Sequence, residues 1–291
     1  MYKGITLLLL AEFCFAISTV FAKLVTNSSD ISGTEIVSFR FLIGFIASAY
    51  TVYKMKIPLK PHRTDLVLWR SFLNTTAVIL FFLSVQYTSI TNANMLNMTY
   101  PIFIFLFSPL LIKSEKAKPI NYLFLVLSSI GIYFIIHPDF HNINKGDVFG
   151  LISGIIGGFS VISLRMAREY DSTILILFYL MGIGLVINAI IVVPTFIMPQ
   201  GINIFYIACS AVTGFLGQVF MTWGYKFISA RDGSLMSASR IIFAVLLGVA
   251  VFSEELSIRI IAGGLLILTS ISGISLMSYK TKASEKTELI P

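Results

Sequence analysis

The chain is expected to fold as an all-α integral membrane protein, with ten transmembrane helices arranged as two inverted five-helix repeats. Three observations predict this. The chain is 56% hydrophobic and 12% charged, with a mean hydropathy of +0.89, whereas soluble surfaces take about a quarter charged residues. The stretch 87–115 returns as 225–254: Leu96 meets Leu235, Ile102 meets Ile241 and Ser114-Glu115 meets Ser253-Glu254 at one constant offset. A looser match joins the segment ending at Lys23 to the one ending at Arg165, so the duplication covers nearly the whole chain, and a repeat of that length sets the architecture. The third observation is the placement of Lys and Arg in the loops.

In chain order, runs apolar enough to cross a ~30 Å hydrocarbon core, roughly 20 helical residues each, fall at 4–25, 35–54, 67–87, 93–113 and 119–137, then at 148–167, 173–196, 203–226, 232–253 and 257–279. The first resembles a cleavable signal, but Glu12 interrupts its apolar run and the sixth run repeats it, so it is expected to stay. Between the runs stand helix-ending residues: Asn27 to Asp30, Pro58 and Pro61, Pro119, Pro138-Asp139, Pro199 to Gly201 and Arg231 to Gly233. The expected units are therefore 1–138, the inverted copy 147–279, and a cytoplasmic tail 280–291.

With the N terminus inside, the inner loops hold most of the 21 Lys and Arg, while the outer ones hold only Lys23, Lys145 and Arg259. Positive charge collects in cytoplasmic loops, so both termini are expected there, in a multi-pass protein of a bacterial inner membrane. An odd number of helices per repeat makes the second copy enter from the opposite face, and inverted repeats place a binding site near the midplane between the halves. The net charge of +7 thus needs no nucleic acid as partner. Cys14 and Cys209 lie in apolar runs and read as unpaired thiols. No zinc spacing, phosphate-binding glycine loop or paired nucleophile and base stands out, and neither a metal nor a cofactor is expected.

Charged side chains inside a bilayer cost at least ~2.5 kcal/mol each even on lenient scales, so they usually face a cavity or one another. Glu12 and Arg240 each sit eight residues from the inner ends at Gly4 and Asp232, or about 12 Å deep at the helical rise. Neither has a charged counterpart in the other repeat. They are the leading candidates for substrate binding, with Glu12 also a candidate for proton coupling; a structural ion pair is the competing reading. Asn94, Asn97, Tyr100, Gln218 and Trp223 are expected to complete the cavity, with Arg40 and Asn74 as secondary candidates. Glu35 is a candidate partner for Arg40. Arg70, near an inner helix end, is expected to snorkel to the headgroups. The glycines at 154, 157 and 158 read as close-packing positions.

Phe15 to Lys23, Phe39-Arg40-Phe41 and the repeated Tyr…Asn-Ala…Leu…Pro…Ser-Glu pattern resemble the drug/metabolite transporter superfamily, EamA type. Phe39-Arg40-Phe41, Trp69-Arg70 and Ser239-Arg240 further resemble its branch that includes S-adenosylmethionine carriers. The resemblance implies a secondary carrier of a small polar or zwitterionic metabolite, an amino acid or derivative, with no catalytic cofactor. Its peripheral pair, helices 5 and 10, would be covered by lipid or by a second copy in a homodimer. The alternative from another class is a non-transporting scaffold or an intramembrane enzyme.

Overall fold

A computed structural model of the chain describes residues 2–87, 93, 96–112, 119–136, 144–252 and 257–288. The first repeat supplies α1 (Tyr2–Ser28), α2 (Gly33–Lys54), α3 (Thr64–Tyr87), α4 (Tyr100–Leu111) and α5 (Pro119–Ile136). The second supplies α6 (Lys145–Tyr170), α7 (Thr173–Val192), α8 (Ile202–Gly224), α9 (Ala230–Met236), α10 (Ser239–Phe252) and α11 (Ile258–Glu288). Together α9 and α10 make the ninth span, so the fold is the expected ten-helix inverted repeat. Side chains cap the helix starts where the sequence offers Ser or Asn: Ser32 accepts from Glu35 N, Ser172 from Leu175 N and Ser229 from Asp232 N, and Asn144 with Asp147 forms a capping box. Helix α11 runs on to Glu288, through most of the segment expected to be a tail.

The main helix contacts join one repeat to the other, and they come in pairs related by the duplication. α1 packs on α8 as α3 packs on α6; α2 meets α8 as α3 meets α7; α1 meets α10 as α4 meets α6. The contacts of α2 with α7 and of α5 with α11 map onto themselves. Because the repeats interdigitate, neither half has a core of its own.

Small residues permit this closeness. At the α1–α8 crossing, a side chain on Gly4 would meet the Gly224 carbonyl and one on Gly224 the Gly4 carbonyl, while Ser18 and Ser210 each donate to the other's backbone carbonyl, at 2.8 and 2.9 Å. The corresponding α3–α6 crossing lets Ser153 donate to the Ala77 carbonyl at 2.9 Å. Interhelical packing of this kind takes the place of the hydrophobic effect where the solvent is itself apolar.

Two spans are broken at one repeat position, which the sequence reading treats as continuous. The chain turns at Met98-Thr99 ahead of α4 and at Ser237-Ala238 between α9 and α10. Matching i to i+3 bonds hold the turns: Thr99 N to Leu96 O and Ile102 N to Thr99 O in one, Ala238 N to Leu235 O and Ile241 N to Ala238 O in the other. Gly154 lets α6 approach the first break, since a Cβ there would meet the Leu96 and Asn97 carbonyls and the Thr99 hydroxyl. Broken backbone within a membrane is tolerated where protein buries it or a cavity meets it.

The two ends of the bundle differ. At the end that carries the N terminus, His62 N and Arg63 N donate to the Asp171 carboxylate at 2.7 and 3.1 Å, and Arg168 donates to the carbonyls of Thr222 and Asp171. Here the Lys3 ammonium also lies 4.7 Å over the Trp223 ring. Leu8, Val67, Leu164, Tyr225, Leu235 and Met236 belong to one apolar cluster and are essentially inaccessible. This basic end is closed.

Candidate functional site

A cavity lies among α1, α2, α3, α6, α8 and the two helix breaks. Its volume is about 160 Å³, on the order of ten times the least that admits one water, a size for a small organic solute. Its lining runs from Arg70, Gln218 and Met221 past Asn74, Asn97, Tyr100 and Arg240 to Thr19, Arg40, Phe81 and Phe82. Since α1 runs away from the basic end and α2 returns to it, Thr19 and Arg40 mark the part of the cavity nearer the opposite end.

Arg240 is the second residue of α10, two past the turn, so the break itself delivers its side chain. Its Nε donates to Glu12 Oε2 at 2.6 Å, and its guanidinium lies 4.7 Å over the Phe15 ring, a geometry that favours a cation on the ring face. The Arg240 side chain is 24% exposed and that of Glu12 is 0% exposed. Glu12 thus stands behind Arg240 instead of lining the cavity, and its Oε1 is buried without a hydrogen-bond partner. The hydroxyls of Tyr100, Tyr225 and Ser237 cluster in this neighbourhood, buried beside the pair.

Arg70 corrects the snorkelling expectation. Instead of reaching for headgroups it is 1% exposed, donating from Nη1 to Ser160 Oγ at 2.6 Å and from Nη2 to Gln218 Oε1 at 3.3 Å. The packing of α3 on α6 turns this face inward. A usable signal was present: α8, the repeat counterpart of α3, contains no charged residue, so Arg70 breaks the internal symmetry as Glu12 and Arg240 do. The same holds for Arg40, because α7 contains none either. Arg40 donates from Nη2 to Ser18 Oγ at 3.1 Å, while Glu35 accepts from Ile197 N, so the expected Glu35–Arg40 pair does not form.

Of the remaining candidates, Asn74, Asn97, Tyr100 and Gln218 line the cavity. Asn97 is also structural, donating to Ser153 Oγ at 2.7 Å and so tying the first break to α6. Trp223 is not brought to the cavity; it is 38% exposed at the basic end, under Lys3. Asn94 lies outside the described residues. Thr19, Phe81 and Phe82 join the lining without any prior signal in their composition. Among the described residues no group of three His, Cys, Asp or Glu is placed to hold a metal.

An inverted-repeat helical bundle with helix breaks and buried charges at a central cavity defines a membrane carrier. The chain belongs to the EamA-like transporter family, whose model matches residues 2–137 and 144–276. It is 28% identical over 284 residues to an uncharacterized transporter of Helicobacter pylori strain 26695, covering 92% of each chain. It is also 24% identical over 275 residues to the pseudopaline exporter CntI of Pseudomonas aeruginosa strain UCBPP-PA14, covering 94% of this chain and 96% of that one. Human solute carrier family 35 member G1 matches at 24% over 295 residues, 95% of this chain and 80% of that one. A solved crystal structure superposes with a TM-score of 0.79 over 97% of this chain and 99% of its own, at 14% identity, a likeness of fold alone. These relatives are drug/metabolite transporters, and the chain is a multi-pass membrane transporter among them.

Proposed function

We propose that this transporter is a secondary carrier moving a small polar organic metabolite, of the class of amino acids and their derivatives, by alternating access. The observation that carries the reading is the Glu12–Arg240 pair at the second helix break, on the wall of a cavity closed at the basic end. Arg240 offers a planar fork suited to a carboxylate on the substrate. Glu12 holds that fork while the site is empty. When a substrate carboxylate takes over the guanidinium, Glu12 is released to bind a substrate cation, a proton or the nearby hydroxyls, and the differing partners favour different packings of the repeats.

The basic loops support a cytoplasmic location for both termini, and the structure would then be the outward-facing state. The tests are a thermal-shift screen of the purified full chain against amino acids and related metabolites and exchange of the hits by proteoliposomes. A ligand at 100 times its dissociation constant adds ~2.7 kcal/mol to stability. Wild-type exchange by both Glu12→Gln and Arg240→Ala, in correctly inserted protein, would place the site elsewhere.

A further inference from the structure

Three guanidinium groups line the cavity, and among the described residues one carboxylate stands against them. Arg40 comes from α2, Arg70 from α3 and Arg240 from α10. Glu12 pairs with Arg240, whereas Arg40 and Arg70 form no ion pair with any described residue. Their hydrogen bonds go to the neutral groups of Ser18, Ser160 and Gln218. In both side chains Nε is buried with no acceptor. Three positive charges less one negative leave a formal +2 around the cavity.

Neutral acceptors orient a guanidinium but do not cancel its charge, and an uncompensated charge in a desolvated site is costly. Packing alone does not account for two of them on one cavity, particularly since Arg40 is also within Coulombic range of Arg240. Water hydrates them when the cavity is open. On closure water leaves, and the charge must be met by what the cavity carries.

Resting on the transporter reading above, we infer that the cavity is built for an organic anion with at least two acidic groups, carboxylate or phosphate. One acidic group takes the fork of Arg240 or Arg70 at the inner part of the cavity and another meets Arg40 nearer its opposite end. Charge-assisted bonds to oxyanions are the strong, geometrically selective contacts of arginine. Within the amino-acid class proposed above this selects members that carry a second acidic group; a simple zwitterion such as alanine supplies one such group and brings a cation besides, so it leaves the surplus in place.

The test uses the purified full chain at fixed ionic strength. Thermal shifts are recorded with succinate and glutarate as dicarboxylates, glycerol 3-phosphate as a phosphate, alanine as a zwitterion, and lysine and choline as cations. The expected result is a saturable upward shift with one of the acidic series, its apparent affinity weakened at least tenfold in Arg40→Gln and in Arg70→Gln. Both variants should unfold, without ligand, at no lower a temperature than the wild type, which separates lost binding from lost folding. Dicarboxylate and phosphate arms tell which oxyanion is read. A larger shift with alanine, lysine or choline than with every diacid, a diacid shift kept by both variants, or no shift beyond the ionic-strength control overturns the inference. Proteoliposome exchange separates the two proposals: movement of neutral or cationic solutes but of no diacid leaves the carrier standing without the anion site, whereas a diacid that binds but never crosses leaves the site standing without the carrier.

Discussion

The Arg240 guanidinium lies between the cavity and Glu12, donating 2.6 Å to the carboxylate behind it. The cavity therefore meets the positive partner of the pair first. On the proposed reading a substrate reaches Glu12 only by displacing Arg240 from it, which would make the two residues act in sequence.

Glu12→Gln is predicted to lower the stability of the empty protein and to spare ligand binding at Arg240. Removing one member of a fully buried pair costs ~3–5 kcal/mol; with the Arg240 side chain 24% exposed, roughly 2 kcal/mol is expected, because water meets part of the stranded charge. Thermal unfolding of purified protein measures the loss. If Glu12 is the proton carrier, substrate exchange persists while a pH gradient no longer drives accumulation; loss of both would make Glu12 a direct ligand.

Arg240→Lys keeps the charge and loses the fork. A compact ammonium makes one directed contact where the guanidinium makes two, so substrate affinity is expected to fall on the order of tenfold, equivalent to about 1.4 kcal/mol. The measurement is the midpoint of the ligand-induced thermal shift. An unchanged midpoint would show that the fork does not hold the substrate.

Gly154→Ala should destabilise the first helix break, because the added Cβ would stand 2.7 Å from the Leu96 carbonyl and 2.6 Å from the Thr99 hydroxyl. Overpacking of this kind costs ~1–3 kcal/mol. Gly264→Ala is the control: nothing lies within 4 Å of its added Cβ, and alanine in a helix is favoured by up to ~1 kcal/mol. Opposite signs of the two changes in melting temperature are expected, and equal losses would contradict the close approach at Gly154.

The spans and their duplication were legible because apolar length and a constant offset survive in the letters themselves. Interdigitation of the repeats was not, since no local pattern says whether α1 packs on its own neighbour or on α8. The breaks at Met98-Thr99 and Ser237-Ala238 escaped for a related reason: Ser237 and Ala238 are tolerated in helices, and tertiary contacts decide that they turn. Glu12 and Arg240 stand out in the sequence because each breaks the internal symmetry of the repeats. Depth alone makes Arg70 read as a snorkelling residue, since its partners Ser160 and Gln218 sit on helices far away in sequence. Trp223 has an aromatic type suited to a cavity wall, but its helical phase at the end of α8 turns it to Lys3.

The pair α5 and α11 should lie apart from the transport route. The helices pack chiefly on each other, with Ser128 donating to Ser270 at 3.1 Å and Gly131 against the Gly263 carbonyl, and neither supplies a lining residue to the cavity. Leu123, Val126, Ile130 and Tyr133 face outward from α5, as Ile261, Leu265 and Leu268 do from α11, a surface suited to lipid. Single cysteines along 123–134 should react with membrane-soluble but not with water-soluble thiol reagents. A water-accessible stripe would reject this placement.

Asp171 is predicted to hold the basic end shut. Its carboxylate accepts backbone N–H bonds from His62 and Arg63, so the α2–α3 connection of one repeat is fastened to the α6–α7 connection of the other. Its carbonyl also takes a hydrogen bond from Arg168, which binds the Thr222 carbonyl at the end of α8. Opening toward this end must part the two connections and release those donors to water. Asp171→Ala removes the carboxylate but leaves the backbone carbonyl, so α6 and α8 keep their Arg168 bridge while the α2–α3 connection loses its anchor. A charged hydrogen-bond acceptor contributes about 1.5–3 kcal/mol, enough to move a two-state equilibrium by roughly ten- to a hundredfold. A cysteine placed at Leu8, 0% exposed and packed against Gly224 and Gly233, provides the readout. It should be labelled slowly by a water-soluble reagent in an otherwise cysteine-free protein and at least tenfold faster once Asp171→Ala is added, whereas a cysteine at Thr19 should change in the opposite direction. If both positions sped up together, the substitution would have loosened the fold, and if neither changed, the Asp171 contacts would not be what keeps this end closed.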